Sequence, residues 1–528
     1  VPVNTRWWRS AAIYQIYIRS LTDASGDGVG DLAGIRARLP YLRDLGVDAV
    51  WITPWYPSPM ADGGYDVADY RDIDPLFGTL AEAEALIAEA HEHGLRLIID
   101  LVPNHTSSAH PWFAEALAAG PGSPARERYI FRHGKESGAP PNDWKSVFGG
   151  PAWTRVPDGE WYLHLFDSSQ PDLNWELPEV RTEFEAVLRF WLDRGVDGFR
   201  IDVAHGLIKQ PDLPDLGIDH EEITGPPDRA NHPHWDRDGV HEIYRSWRRV
   251  VEEYGEDRIF VAEAWVANPE RLARYVRPGE LHSAFNFDFL RAAWDPVKLR
   301  EVIDSSIGAL HAVGAPATWV LSNHDVVRHV TRYGRPDPGQ PSDLEVGRRR
   351  ARAALLLMHA LPGGVYVYQG EELGLEEVED LPEAVLQDPT WERSGHTERG
   401  RDGCRVPLPW RGTEPPFGFG PHGSWLPQPG HWSALTAEAQ LRDEDSMLSL
   451  YRKALHLRRR HPALGEGELS WLDSPADVLL FSREPGFVCA VNLSPTPVPL
   501  PPHERVLLTS EPLPNGKLPT DTAAWLQV

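Results

Sequence analysis

Cysteine is almost missing from this chain. Cys404 and Cys489 are the 2 present in 528 residues, too few for a disulfide framework, and they read as buried free thiols. No apolar stretch reaches the ~18 to 20 residues that span a bilayer, so no membrane association is expected. The opening VPVNTRWWRS lacks an apolar h-region, and the expected location is cytoplasmic. Positive charge is in deficit: 52 Lys+Arg against 78 Asp+Glu give a formal charge of -26. That sign repels phosphate backbones and anionic membranes, which excludes nucleic acid as an expected partner. Heptads, low-complexity tracts and short repeats are lacking too, which argues against coiled coils and solenoids.

What the chain does have is an ordinary globular balance, 41% hydrophobic and 25% charged, at a length suiting several domains or one large barrel with additions. Tryptophan is in excess, at 21; this suits either core or stacking on sugar rings. Short apolar runs alternate with amphipathic stretches. Strands are expected at AAIYQIYI, VDAVWI, LRLIIDLV, GFRIDV, RIFVAEAW, SAFNFDF, TWVLSNHD and GGVYVYQGEE, with helices such as TLAEAEALIAEAHEHG between them. About eight such repeats predict an α/β fold, a (β/α)8 TIM barrel. Its first part would be residues 1–104 and its second 171–463. Residues 105–170, rich in Gly, Pro and Trp, would form an inserted subdomain after the third strand. Residues 464–528, with DVLLFSRE, FVCAVNL and RVLLT, read as a C-terminal β-sandwich, making an all-β domain.

Polar groups cluster at strand ends, which in such a barrel converge on one face. DLVPNH supplies Asp100, Asn104 and His105; GFRIDV supplies Arg200 and Asp202; VAEAW supplies Glu263; VLSNHD supplies His324 and Asp325. Any one alone is ordinarily a structural hydrogen-bonding group. Together, with no nucleotide motif, they suit glycoside cleavage, which needs one carboxylate at the anomeric carbon and one acid at the leaving oxygen. Glu263 beside apolar Trp265 is expected to stay protonated, and Asp202 beside Arg200 to stay ionised. His105 and His324 would hold hydroxyls, and Asp325 would grip them more strongly as the ring flattens.

These four segments, in this order, resemble the signature regions of the α-amylase superfamily, glycoside hydrolase family 13. QPDLN at 170–174 is similar to the fifth region of its oligo-1,6-glucosidase and α-glucosidase subgroup. The resemblance implies Asp202 as nucleophile, Glu263 as acid and base, and Asp325 as transition-state stabiliser. It also implies Asp62 and Tyr65, within MADGGYDVADYR, as the hydrogen-bonding Asp and stacking Tyr of the first subsite, with Gln170, Arg200, His105 and His324 around it. RDGCRVPLPW resembles RDNARTPMQW, implying Arg405 as a sugar ligand, with Arg401 the competing candidate. Phe148 and Phe166 in the insertion, with Trp144 and Trp153, would shape the acceptor side. Val203 resembles the residue of α-1,6-acting members.

DASGDGVGD places Asp23, Ser25, Asp27 and Asp31 at odd positions with Gly between them, a spacing that curls oxygen ligands round a hard cation; an acidic Gly-rich turn is the plainer alternative. The family resemblance adds the Val29 carbonyl and implies structural Ca²⁺; no organic cofactor is expected. The same stretch lacks the Lys-Ser/Thr of a P-loop. HEHG at 91–94 lacks zinc-site spacing, and LHLRRRHP reads as a solvated or domain-bridging face.

The expected activity is a retaining, exo-acting α-glucosidase that releases terminal glucose from short α-glucosides such as maltose, isomaltose or sucrose, as a monomer or homodimer. An α-glucosyltransferase or isomerase using the same covalent intermediate, and a non-catalytic scaffold relative, are the alternatives.

Overall fold

The computed structural model describes residues 6–221, 231–335, 337 and 339–528. Two-residue alternation along its strands decides the architecture. In β1 (Ala12–Ile16), β2 (Ala49–Ile52) and β3 (Arg96–Leu101), Ile13, Ala49, Trp51 and Ile98 share an inner cluster. Tyr14, Val50, Ile52, Leu97 and Ile99 face an outer one, beneath the helices. Strands buried on both faces belong in a parallel sheet.

The chain then leaves the barrel for a three-stranded antiparallel sheet of β4 (Phe131–His133), β5 (Trp153–Arg155) and β6 (Glu160–Leu163), with β6 central. It returns through β7 (Gly198–Ile201), β8 (Ile259–Ala262), β9 (Ser283–Ala284), β10 (Thr318–Val320) and β11 (Gly364–Tyr368). The eight parallel strands run in the order β10-β11-β1-β2-β3-β7-β8-β9. The Thr318 hydroxyl donates to the Ala284 carbonyl across the remaining seam, so the barrel is nearly closed.

The run SAFNFDF is strand only over its first two residues. The Asn286 side chain accepts from the Phe289 N–H and starts a helix, Phe287–Arg291, because a local cap competes with the ladder. Elsewhere the helical readings hold: Leu80–Glu92 begins with a full capping box between Thr79 and Glu82.

The C-terminal strands β12 (Ser470–Trp471), β13 (Val478–Arg483), β14 (Phe487–Asn492), β15 (Val498–Pro499), β16 (Arg505–Thr509), β17 (Lys517–Leu518) and β18 (Thr522–Gln527) form a five-stranded sheet and a two-stranded ribbon. The sheet packs against helix Leu344–Ala360, and the Trp525 indole donates to the Leu356 carbonyl at 2.9 Å. Arg458, from the basic run, reaches the carbonyls of His359 and Leu361 within the barrel unit, and His461 at the end of that run lies 3.3 Å from Gln527 of the C-terminal sheet. Both cysteines are buried and free. Ten tryptophans are among the largest fully buried side chains, so the excess is mostly core. Among the described residues no helix is long and apolar enough to cross a membrane.

Candidate active site

The C-terminal ends of the barrel strands open into a narrow cavity lined by Asp62, Tyr65, His105, Phe166, Asp202, Val203, His205, Trp235, Glu263, Trp265, His324, Asp325 and Arg401. At its base one guanidinium holds three carboxylates. Arg200, 2% exposed, donates from Nη1 to Asp100 Oδ1 at 2.9 Å and Asp202 Oδ1 at 2.5 Å, and its Nη2 forms an ion pair with Glu263 Oε2 at 2.9 Å. Asp202 follows β7 and Glu263 follows β8 directly, so adjacent strands set their approach.

Here the electrostatics depart from the sequence reading. Burial pushes Asp202 well above the usual carboxylate range; Arg200 opposes this, and Glu263 and Asp100 reinforce it. Burial also takes Asp100 up to about 6 against the pull of Arg200. Both carboxyls therefore hold a proton more tightly than a free carboxyl does. Nor is Trp265 an apolar wall for Glu263: its indole donates to Oε1 at 3.0 Å, while the Val203 N–H donates to Oε2 at 2.9 Å. Val203 aims that N–H from a left-handed backbone with φ of 47°, a costly conformation for a β-branched residue.

One wall of the cavity is charged. Arg401 donates to Asp62 Oδ1 at 2.7 Å and to Asp325 Oδ1 at 2.9 Å, and is anchored by Asp388. Burial raises Asp62 to about 6, with Arg401 opposing. Burial works against the charge of Asp325 as well, yet His324, Arg401 and Arg405 hold its carboxyl well below the usual range. Burial keeps His324 itself neutral, so the two arginines carry that effect at neutral pH. With the Gln15 amide on His324 Nδ1 at 2.6 Å, the ring proton sits on Nε2, 3.3 Å from Asp325. Tyr65 stacks on His324, centroids 5.3 Å apart, and donates to Asp100 at 3.0 Å. Burial depresses His105 to about 4, leaving a neutral ring.

Of the residues read from sequence, Gln170, Phe148, Arg200 and Arg405 stand one layer back from the cavity. The Gln170 amide donates to Asp62 Oδ2 at 3.0 Å and lies 3.2 Å from His105 Nε2. Phe148 lies 5.1 Å beneath the Arg401 guanidinium. Arg405 donates to the His324 carbonyl at 2.9 Å and to Asp325 at 3.2 Å. Between the two arginines of RDGCR, Arg401 is the one in the cavity wall. His205 and Trp235 also line it and went unread; they lie in the long segment after β7, where neither periodicity nor a motif marks them. Asp388 gave no signal either.

The Asp23 to Asp31 loop curls on itself. Asp23 accepts from the Gly26 and Gly28 N–H groups and from Ser25 Oγ; Asp31 accepts from Ala24, Ser25 and Gly34; Asp27 accepts from Val29. Among the described residues no Lys or Arg pairs with these three carboxylates. Asp23 Oδ1 and Asp31 Oδ2 each accept two of these bonds, while Asp23 Oδ2, Asp27 Oδ1 and Asp31 Oδ1 accept one each and keep a lone pair that suits a hard cation.

Residues 15–467 match the family model described as alpha amylase, catalytic domain. The chain is 40% identical to a probable alpha-glucosidase of Rhizobium meliloti (strain 1021), over 92% of this chain and 89% of that one. It is 36% identical to an oligo-1,6-glucosidase of Parageobacillus thermoglucosidasius, over 87% and 85%. Among solved structures, an alpha-glucosyl transfer enzyme, XgtA, superposes with a TM-score of 0.87 at 36% identity, covering 99% of each chain. The trehalulose synthase MutB of Pseudomonas mesoacidophila MX-45 does so with 0.87 at 30% identity, again over 99% of each. Fold, strand-end carboxylates and these relatives agree: the chain belongs to the α-amylase family, glycoside hydrolase family 13.

Proposed function

We propose that the protein is a retaining, exo-acting α-glucosidase that removes terminal non-reducing glucose from short α-glucosides. The observation that carries this reading is the Arg401 bridge between Asp62 and Asp325 in the cavity wall, which on this reading closes the cavity beyond the first sugar. Asp202 and Glu263 sit on the two terminal nitrogens of one guanidinium, which favours the close spacing, about 5 Å, of retaining enzymes.

Asp202 attacks the anomeric carbon as the glycosidic bond breaks and Glu263 protonates the leaving oxygen, forming a β-glucosyl ester on Asp202; Glu263 then takes a proton from water, whose oxygen attacks the anomeric carbon, breaks the ester bond and releases glucose and the Asp202 carboxylate. Asp325, kept ionised by Arg401 and Arg405, strengthens its hold on hydroxyls as positive charge develops. Asp62, Arg401, His105 and His324 hold the same ring, with Tyr65 beneath it and Gln170 and Arg405 positioning them. Phe148 supports Arg401, and Phe166 stands at the acceptor side. Residues 105–170 and 464–528 act as a lobe over the mouth and a brace on the barrel. Asp23, Ser25, Asp27 and Asp31, with the Val29 carbonyl, would hold Ca²⁺ as a structural ion.

A parallel time course on maltose, isomaltose and sucrose, quantifying glucose and all larger products, tests the reading. Glucose without longer oligosaccharides is expected. Endo-products from starch before any glucose would overturn it. Similarity to a transfer enzyme and a trehalulose synthase supports a second reading, glucosyl transfer by the same residues, which new trisaccharides or an isomerised disaccharide would establish.

A further inference from the structure

One layer behind the cavity wall, the segment after β7 gathers three metal-ligand side chains that glucose cleavage does not use. Glu221, His232 and His234 each offer a ligand atom, and the three atoms lie within 4.8 Å of one another. Glu221 and His234 are buried, and His232 Nε2 faces Glu221 Oε2 at 3.8 Å. The Trp235 indole donates to the other oxygen, Oε1, at 3.0 Å, fixing the carboxylate with Oε2 on the His232 side. The two imidazoles meet edge to face with centroids 4.4 Å apart. His234 is itself packed between Trp144 at 4.4 Å and Trp235 at 4.7 Å.

We propose that Glu221, His232 and His234 form a binding site for a divalent transition-metal ion of the Zn²⁺ type, separate from the glucose cavity. Two imidazoles and one carboxylate suit Zn²⁺, whereas Ca²⁺ and Mg²⁺ prefer all-oxygen sets. In a tetrahedral site with bonds near 2.0–2.1 Å, neighbouring ligand atoms lie about 3.3 Å apart, so atoms that already lie within 4.8 Å of one another reach it by side-chain movements of about 1.5 Å or less. His232 Nδ1 accepts a long bond of 3.4 Å from the His234 N–H. Ligation through Nε2 moves the ring proton to Nδ1 and gives that bond up. An ion here ties residue 221 to 232 and 234 and thereby holds Trp235, which lines the cavity.

The test uses the full chain, stripped with a chelator and returned to excess Ca²⁺ so that the Asp23 loop is not available to the probe. Zn²⁺, and separately Co²⁺, is then titrated. Expected are one Zn²⁺ per chain, a Co²⁺ visible spectrum of low-coordinate nitrogen and oxygen ligation, and affinity weakened at least about tenfold in Glu221→Gln and in His232→Asn. His232→Asn decides the matter should Glu221→Gln fail to fold. Absence of stoichiometric binding, or equal binding by a folded variant, would overturn the proposal. Because the readout is metal binding, its failure leaves the glucosidase reading untouched.

Discussion

Arg200 gives the site its proton economy, since its two terminal nitrogens serve Asp100, Asp202 and Glu263 at once. Removing one carboxylate therefore has effects specific to its role. Glu263→Gln is expected to lose about 10²–10⁴-fold on disaccharides, whose leaving groups need an acid, and far less on aryl α-glucosides. Asp202→Ala should abolish turnover of both; kinetics on the two substrate classes checks the pair, and equal losses in Glu263→Gln would count against its assignment. Arg401→Ala removes the bridge that on this reading closes the cavity. About a hundredfold loss in kcat/KM on maltose or isomaltose is expected from the misplaced ring, with longer chains penalised less. A uniform loss across chain lengths would place Arg401 outside the blind end.

The helix that begins at Leu32 is capped by Asp31 and meets the acidic loop through Gly34, where a Cβ would lie 1.9 Å from the Thr22 carbonyl. Gly34→Ala is expected to push that helix off the loop, at a cost of about 1–3 kcal/mol, read as a lowered melting temperature. Chelation should lower the melting temperature of the parent, with recovery on adding Ca²⁺; an unchanged temperature would leave the loop a turn without an ion. These elements also show what the sequence makes legible. Strand ends were readable because alternation locates the strand and the polar residue follows within a few positions, as at Asp202 and Glu263. Arg401 and Arg405 were not separable, since both stand in one short motif and only tertiary placement decides which faces the cavity. Trp235 and His205 lie in a segment without periodicity. β18, TAAWLQ, was passed over although it pairs between β14 and β16, because small alanines blur its pattern.

For the molecule as a whole, buried acids should set how stability follows pH. Burial raises Glu371 to about 8 from 4.5, with Tyr451 opposing. A raised folded-state pKa means the native chain holds the proton more tightly than the unfolded one. The resulting stability is complete below about pH 4.5 and lost as pH rises through about 8. Burial opposes the charge on Asp388, but Arg401 and Arg405 depress its pKa to about 2. That contribution is present above pH 3.8 and lost on strong acidification. Buried neutral His105, depressed to about 4, adds stability up to about pH 6.5; above that the melting temperature should fall toward pH 8 and Glu371→Gln should flatten the decline, and a parent that grows more stable from pH 6.5 to 8 would refute this. The Arg401 bridge has a further consequence in time. During synthesis Asp202, Glu263 and Asp325 all leave the ribosome before Arg401 does, and the sheet that braces helix Leu344–Ala360 comes later still. A nascent chain halted short of residue 401 would carry every bond-breaking group in an open trough, so selectivity for chain ends is acquired after the cutting residues are already made.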